Sequence, residues 1–413
     1  MTCLFCTLSR RNLAAITLAA GAVAVSACSS AVPGSPLSNH SSIKPTTSSY
    51  NLTPVNYPGA NNTQVTGINN SAPPETVGFS YDGYSTSTNV LNSFTLVSPY
   101  GSGNFTNDDY PDSKGGTALW SITTPTGTAS PVEAGWVNTP GVQCQRNGGS
   151  IWGVVDDQGL WSLIPQYGGV NDCATTSGGG GQQNELYGVN DADVAVGYFI
   201  APHLNNGKST AAMVSPGDIE TPIQFPMSSW KTPSKAYGIN DNNDMVGNVT
   251  ISGVTQAWYA INCPIDSRCT PSSSSSYCFH ELNIASSTST TAYAINRPLS
   301  PNSPELVAGS YTDGSGKTYG FVYSLPITGD LCAGSAGAPY TFEASENSTL
   351  TVVSGINNVG DIVGWYNEES GGNYTLHGFF GSPNDSHKSR RRTSIQAAQH
   401  GPSPPTRNRL SHS

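Results

Sequence analysis

A Gly-Ile-Asn motif recurs along the chain, and this repeat limits the possible folds more than any other feature of the sequence. Its six copies, which start 50 to 68 residues apart, are Gly67-Ile68-Asn69, Gly135-Trp136-Val137-Asn138, Gly188-Val189-Asn190, Gly238-Ile239-Asn240, Ala294-Ile295-Asn296 and Gly355-Ile356-Asn357. Units of this length, built from short strands, are typical of propeller blades rather than of helical repeats. The repeat therefore predicts a β-propeller.

A second pattern, a pair of residues that ends in glycine, follows each copy of the turn. These pairs are Val77-Gly78, Trp152-Gly153, Val196-Gly197, Val246-Gly247, Ala308-Gly309 and Val363-Gly364. Between the motifs, runs of Val, Ile, Thr, Tyr, Phe and Trp alternate with Gly, Asn, Asp and Pro, which is the composition of strands and turns. The asparagine tolerates tight-turn geometry, and its side chain can bond the nearby backbone. The fold class is therefore predicted to be all-β.

The two ends of the repeat region complement each other. Tyr50-Asn51-Leu52-Thr53-Pro54 has the form of the strand that closes a unit, but the strands that should precede it are absent. The final unit has the opposite defect, since it stops after Phe379-Phe380. A ring in which the N-terminal strand completes the last blade leaves no exposed sheet edge. The sequence thus predicts a six-bladed β-propeller closed by an N-terminal strand.

The repeat resembles the HAF family of bacterial extracellular repeats. The resemblance rests on Gly355-Ile356-Asn357-Asn358 with Gly360 and Ile362-Val363-Gly364, and on the run from Tyr311 to Phe321; it covers most of residues 50 to 383. The resemblance implies an exported, propeller-like repeat protein without an established set of catalytic residues.

The flanks of the repeat region predict export and anchoring. Residues 1–28 have the form of a leader with twin arginines, and Val25-Ser26-Ala27-Cys28 matches a bacterial lipobox, in which the cysteine is lipid-modified. The alternative is an ordinary secretory signal cut nearby. Residues 29–48 are predicted to be a flexible Ser/Pro/Thr tether, 49–383 the propeller, and 384–413 a disordered basic tail. The expected location is the cell envelope, either the outer membrane or the cell surface, with the lipid on Cys28 as the membrane contact.

Six cysteines remain once the leader and Cys28 are set aside, and an even number in an exported chain favours disulfides. Cys144 and Cys173 flank the second unit and form the expected first pair. A second link, Cys263–Cys269 or Cys269–Cys278, would staple the serine-rich loop 270 to 276; Cys332 completes the set.

The charge distribution limits the partners. Residues 29 to 385 contain nine Lys and Arg side chains against all 27 Asp and Glu side chains, a difference of −18. Such a domain repels phosphate, so nucleic acid is an improbable partner. A surface protein or a polysaccharide fits better, and the chain is expected to be a monomer.

No motif in the sequence identifies a catalytic or cofactor site. Between the leader and the basic tail, phosphate loops, Cys-x-x-Cys pairs and Gly-x-Ser-x-Gly elbows are missing, and the histidines lie in separate units or in the tether, so neither a cofactor nor a metal is predicted. The Asn240 to Asp244 run lacks the order of a calcium loop and is interpreted as turn capping. The function predicted is a binding or structural module without catalysis, with Asp82, Asp313, Glu368 and Trp365 as candidate contacts. The alternative is a polysaccharide-acting enzyme that uses carboxylates at the blade tips, drawn from Asp82, Asp156, Asp157, Asp313, Glu368 and Glu369.

Overall fold

Six four-stranded antiparallel sheets contain all the strands of the described residues. The structure is a computed structural model, and it describes residues 50–82, 90–98, 100, 104–111, 113, 115–125, 130–139, 150–157, 159–164, 183–200, 208–215, 219–223, 225, 233–263, 276–300, 303–327, 338–370 and 373–384. The predicted leader and tether lie outside these residues, as does the predicted basic tail except for its first residue, Asn384.

The chain begins with β1 (Tyr50–Val55) and then forms one blade after another. Blade 1 is β2 (Asn62–Ile68), β3 (Glu75–Tyr81), β4 (Asn92–Val97) and β5 (Phe105–Asn107). Blade 2 is β6 (Thr117–Thr123), β7 (Val132–Thr139), β8 (Ser150–Asp157) and β9 (Leu160–Leu163). Blade 3 is β10 (Gln183–Val189), β11 (Ala195–Ile200), β12 (Thr210–Ser215) and β13 (Ile219–Pro222).

The remaining blades follow the same order. Blade 4 is β14 (Ser234–Ile239), β15 (Met245–Ile251), β16 (Val254–Asn262) and β17 (Tyr277–Leu282). Blade 5 is β18 (Ser287–Ile295), β19 (Leu306–Asp313), β20 (Thr318–Ser324) and β21 (Ala338–Phe342). Blade 6 is β22 (Thr351–Ile356), β23 (Ile362–Ser370) and β24 (Asn373–Pro383), with β1 as its outer strand. This arrangement confirms the six-bladed propeller.

The N-terminal strand closes the ring, as predicted. β1 pairs antiparallel with β24 from Tyr50 opposite Pro383 to Val55 opposite Gly378. Ser354 Oγ in blade 6 donates to the Val65 carbonyl in blade 1 at 2.8 Å, so the last blade also bonds directly to the first. The edge of β24 is therefore covered, which removes a site for pairing with other chains.

Every innermost strand contains the same irregularity. The ladder between the first and second strand of each blade shifts by one residue just before the turn motif, so each inner strand has a β-bulge. The extra residue of a bulge is unpaired, and its side chain is re-aimed. The six residues at this position are Thr66, Trp120, Tyr187, Tyr237, Tyr293 and Ser354. They line the central channel.

The blade-2 copy of the repeat was aligned wrongly from the sequence. Gly135 is not a turn glycine, because it pairs with Leu119 on the inner strand just as Gly78 pairs with Val65 in blade 1. The turn that corresponds to Gly67-Ile68-Asn69 is Ser121-Ile122-Thr123, and Gly153 lies on the third strand. The motif was missed because blade 2 has neither the turn glycine nor the asparagine.

Two faces of the ring are distinguished by their loops. The turns that follow the inner strands, including those at Asn190 and Asn240, lie on one side, here called the turn face. Because all sheets run in the same order from centre to rim, the hairpins between second and third strands leave from the opposite side, here called the hairpin face. The hairpin face includes residues 251–254 and 313–318, Asp82 and Tyr374. The described part of the chain contains no helix that could cross a membrane.

Candidate functional site

The central channel is closed by aromatic side chains. Four bulged residues and Trp365 form a ring of contacts, with centroid distances of 4.9 Å for Trp120–Tyr187, 4.7 Å for Tyr187–Tyr237, 5.0 Å for Tyr237–Tyr293, 6.4 Å for Tyr293–Trp365 and 6.0 Å for Trp365–Trp120. Blades 1 and 6 contribute only Thr66 and Ser354 to the bulge positions, and Trp365 fills the space that these small side chains leave. Tilted and edge-on ring contacts of this kind are favourable.

On the turn face, the repeated asparagines bond one blade to the next. Asn190 Nδ2 donates to the Asn240 carbonyl at 3.0 Å, Asn240 Nδ2 to the Asn296 carbonyl at 3.1 Å, and Asn296 Nδ2 to the Asn357 carbonyl at 3.3 Å. The side-chain oxygen of Asn190 also accepts from the backbone N–H groups of Ala192 and Val194. The predicted local turn bond is therefore confirmed, but the inter-blade bond was not foreseen.

A cavity of about 70 Å³ lies between the ends of the inner strands. Its lining residues include Trp120 and Tyr237, so the ring of aromatic side chains forms its floor. Asp241 and Arg297 line it on the side of the turn face. Ligand pockets for drug-sized molecules measure roughly 300–1,000 Å³. The cavity accommodates water or a small ion rather than a sugar or a peptide.

Below the ring, a polar cluster joins blades 3 and 4. Glu185 accepts hydrogen bonds from the hydroxyls of Tyr187 and Tyr198, and Lys235 Nζ lies 4.0 Å from the centroid of the Tyr198 ring. Burial lowers the pKa of Lys235, and the nearby Glu185 carboxylate opposes that shift. Burial and the same carboxylate raise the pKa values of both tyrosines. The carboxylate is bonded by two tyrosine hydroxyls and the cation packs over a tyrosine ring, so we interpret the cluster as structural.

The three predicted contact acids lie on separate blades. Asp82 follows the second strand of blade 1, Asp313 ends that of blade 5, and Glu368 is near the end of that of blade 6. All three are on the hairpin face. Asp82 is exposed, and Glu368 Oε2 lies 3.8 Å from His377 Nε2. The three carboxylates therefore lie on three consecutive blades of the ring, and none of them lines the channel cavity.

Asp313 organises its own hairpin. Its Oδ1 accepts from the backbone N–H of Ser315 at 2.8 Å, the hydroxyl of Ser315 at 2.6 Å and the backbone N–H of Lys317 at 3.1 Å. Partial burial opposes ionisation of this carboxyl, but the hydrogen bonds from Ser315, Lys317 and Tyr319 outweigh that effect and hold the pKa of Asp313 below its ordinary value. A carboxylate stabilised in this way is a poor general acid.

Trp365 is not an exposed contact. Its side chain is 7% exposed and packs in the aromatic ring of the channel. Of the other tryptophans, Trp120, Trp136, Trp152 and Trp258 are buried as well. The sequence offered Trp365 as a candidate contact, but it lies on β23, the second strand of blade 6, where its side chain completes the ring of aromatic residues.

The sequence analysis missed one group of acidic residues. Carboxylate oxygens of Asp108, Glu133 and Asp156 all lie within 4.8 Å of one another between blades 1 and 2. Burial and the charge of Asp108 raise the pKa of Glu133 well above its ordinary value, and burial and Asp108 raise that of Asp156 to about 6. The correct alignment of blade 2 would have placed Glu133 two residues before the repeated glycine, a buried position in every blade, and so revealed it.

Two of the predicted disulfide cysteines lie side by side. The Sγ atoms of Cys263 and Cys278 are 3.1 Å apart at the ends of β16 and β17, which is a contact and not the roughly 2.05 Å of a covalent bond. The described residues thus contain no closed disulfide, and the two cysteines that meet are not a pair expected from the sequence. Cys28, Cys144, Cys173, Cys269 and Cys332 lie outside the described residues.

Comparison with known proteins does not identify a function for this chain. No family model matches the chain, and no curated protein matches it. A crystal structure of a protein of unknown function from Dyadobacter fermentans DSM 18053 is similar over 81% of this chain and 98% of that one, with 10% sequence identity and a TM-score of 0.49.

Proposed function

We propose that this chain is an exported, lipid-anchored propeller that binds a surface protein or a polysaccharide through its hairpin face, without catalysis. The observation that carries the proposal is the closed channel of the described residues, whose cavity of about 70 Å³ is smaller than the site that chemistry on a sugar or peptide needs. We therefore expect a ligand to contact the outer surface. The lipobox that ends at Cys28 supports the anchoring, and the resemblance to HAF repeats supports export.

The hairpin face offers both apolar and acidic groups. Tyr374 is 48% exposed, and Val254 and Val90 stand out beside other hairpins. Asp82 and Glu369 are exposed near the ends of their strands. Exposed aromatic side chains with carboxylates around them suit contact with a glycan or with a basic protein surface.

The acids are poorly arranged for the alternative, glycoside hydrolysis. Such enzymes place two carboxyl groups about 5 Å or more apart across the scissile bond, in a site that the sugar can enter. Asp313 and Glu368 are on different blades, whereas Asp108, Glu133 and Asp156 are closer together and largely buried.

The test is a glycan array and a pull-down from envelope fractions with the mature chain. Tyr374→Ala combined with Glu369→Ala should reduce binding by about tenfold or more, as expected for loss of an interface anchor. Leu160→Ala is the matched control, since Leu160 is 74% exposed but lies on the turn face, and it should bind normally.

The same protein should be assayed for turnover of a polysaccharide panel. Turnover that disappears in Asp313→Ala or Glu368→Ala would move the protein to the enzyme class. Binding lost in Leu160→Ala but kept in the hairpin variant would place the contact on the turn face and contradict the proposal.

A further inference from the structure

Glu133 is a buried carboxyl group whose side-chain neighbour, Asp108, is another acid. The residue is 2% exposed, and within the described residues neither of its oxygens receives a hydrogen bond from an N–H group or a hydroxyl; the same is true of Asp156 Oδ1. Asp156 is the direct cross-strand partner of Glu133, and like charges opposite each other destabilise a sheet. Leaving such a group unpaired costs several kcal/mol, so buried carboxylates are normally paired or bind a metal.

The other five blades show what this position holds when it only packs. Two residues before the repeated glycine they have Thr76, Ala195, Met245, Val307 and Ile362, all buried. Opposite these residues, where blade 2 has Asp156, they have Leu96, Val214, Ala260, Tyr323 and Gly381. Blade 2 alone places two acids at a site that the fold elsewhere fills with small or apolar groups. Packing therefore does not explain the pair.

A third carboxylate reaches the pair from the neighbouring blade. Asp108 follows β5, and its backbone N–H donates to the Ser93 carbonyl at 3.0 Å, which fixes it to blade 1. It is half-buried, so one side of the cluster is open to solvent. Glu75 and Asp157 add negative charge nearby, and no basic side chain of the described residues lowers the pKa of any of the three carboxyls. The charge of the cluster is thus unopposed within that part of the chain.

The ligand set indicates the class of cation. Three carboxylates whose oxygens lie within 4.8 Å of one another form an all-oxygen site, which suits a hard divalent cation. Calcium takes about six to eight oxygen ligands in flexible geometry, whereas magnesium keeps several waters and is usually bound through one or two carboxylates. The three carboxylates therefore fit calcium better than magnesium.

We propose that Asp108, Glu133 and Asp156 bind a divalent cation of the calcium type, which fastens blade 2 to blade 1. The carboxylates supply three ligands, and water from the Asp108 side completes the coordination. Extracellular calcium modules of this kind have dissociation constants of about 10⁻⁴–10⁻³ M.

The test uses the mature chain after treatment with EDTA. Addition of about 5 mM CaCl₂ should raise the melting temperature by a few degrees, because a ligand that binds only the folded state stabilises it. Tb³⁺, which replaces Ca²⁺, should give luminescence on excitation of tryptophan, and Ca²⁺ should compete it away. Magnesium at the same concentration should have a much smaller effect.

Glu133→Gln and Asp156→Asn should each abolish the calcium response and the Tb³⁺ signal. Both should be at least as stable as the parent in EDTA, since the repulsion is gone. Asp157→Asn, one residue away but exposed, is the matched control and should respond like the parent.

The proposal is overturned if the parent shows no response to Ca²⁺ or Tb³⁺. A Glu133→Gln variant that is then simply more stable than the parent would indicate that two of the carboxyls share a proton instead.

Discussion

At the scale of single residues, the repeated glycine of the second strand is set by steric exclusion. A Cβ added at this position would lie within 2.2 Å of a carbonyl oxygen on the inner strand in every blade: 2.2 Å at Gly78, 2.2 Å at Gly135, 1.9 Å at Gly197, 2.1 Å at Gly247, 2.2 Å at Gly309 and 1.9 Å at Gly364. The β-bulge brings the inner strand this close. The glycine and the bulge therefore depend on each other, and together they aim the channel residues inward.

Gly197→Ala should destabilise the protein by about 3 kcal/mol or more, because the methyl group would collide with the Glu185 carbonyl and the strand must shift. Urea unfolding measures the change. Gly314→Ala is the control, since a Cβ there meets nothing within 4 Å, and it should change stability by no more than about 0.5 kcal/mol. Equal stability of the two variants would mean that the inner strand yields easily.

At the scale of elements, the pairing of β16 with β17 at the outer edge of blade 4 brings two cysteines together. β16 and β17 pair from Ala257 opposite Leu282 to Asn262 opposite Tyr277. This register places Cys263, one residue past the last pair, beside Cys278, which is the partner of Ile261. The sequence pointed to links that involve Cys269, because a link there would staple the serine-rich loop. Strand register decides instead which two sulfurs meet.

In oxidising conditions, we predict a Cys263–Cys278 disulfide. It would close a loop of about 15 residues, for which chain entropy gives about 3 kcal/mol. Reduction or Cys278→Ser should therefore lower the free energy of unfolding by a similar amount, and peptide mapping should recover the two cysteines in one linked fragment. Recovery of Cys269 joined to either of them would contradict the prediction. Cys144→Ser serves as a control, because it should leave this fragment unchanged.

At the scale of the whole molecule, closure depends on one strand that is remote in sequence. β1 supplies the outer strand of blade 6, and Val55 at its end is 1% exposed and packs with Val65 and Phe94 of blade 1. The strand thus links the last blade to the first. The aromatic ring is a second closure device, since Trp365 joins residues contributed by blades 2 and 5.

Deletion of residues 50–55 should expose the edge of β24 and cause aggregation with a lower melting temperature, because an unpaired long edge pairs with other chains. Light scattering and calorimetry measure both effects. Deletion of residues 30–44, in the predicted tether, is the control and should leave the melting temperature unchanged. Identical behaviour of the two deletions would show that the ring does not need β1.

The all-β class, the six units and the closure by the N-terminal segment could be predicted from the order of amino acids. These follow from local signals, namely turn residues, strand-forming residues and the incomplete units at both ends, which act through the chemistry of neighbours in the chain. The same local signals misaligned blade 2, since Ser121-Ile122-Thr123 lacks both defining residues of the motif.

Packing between blades determines which side chains meet, and the sequence did not predict it. Trp365 became part of the channel ring, Asp82 and Asp313 stayed on separate blades, and Asp108 joined Glu133 and Asp156 across a blade boundary. These contacts join residues far apart in the chain. They depend on register, on the six bulges and on the angle between adjacent blades, and none of these is encoded in a short stretch of sequence.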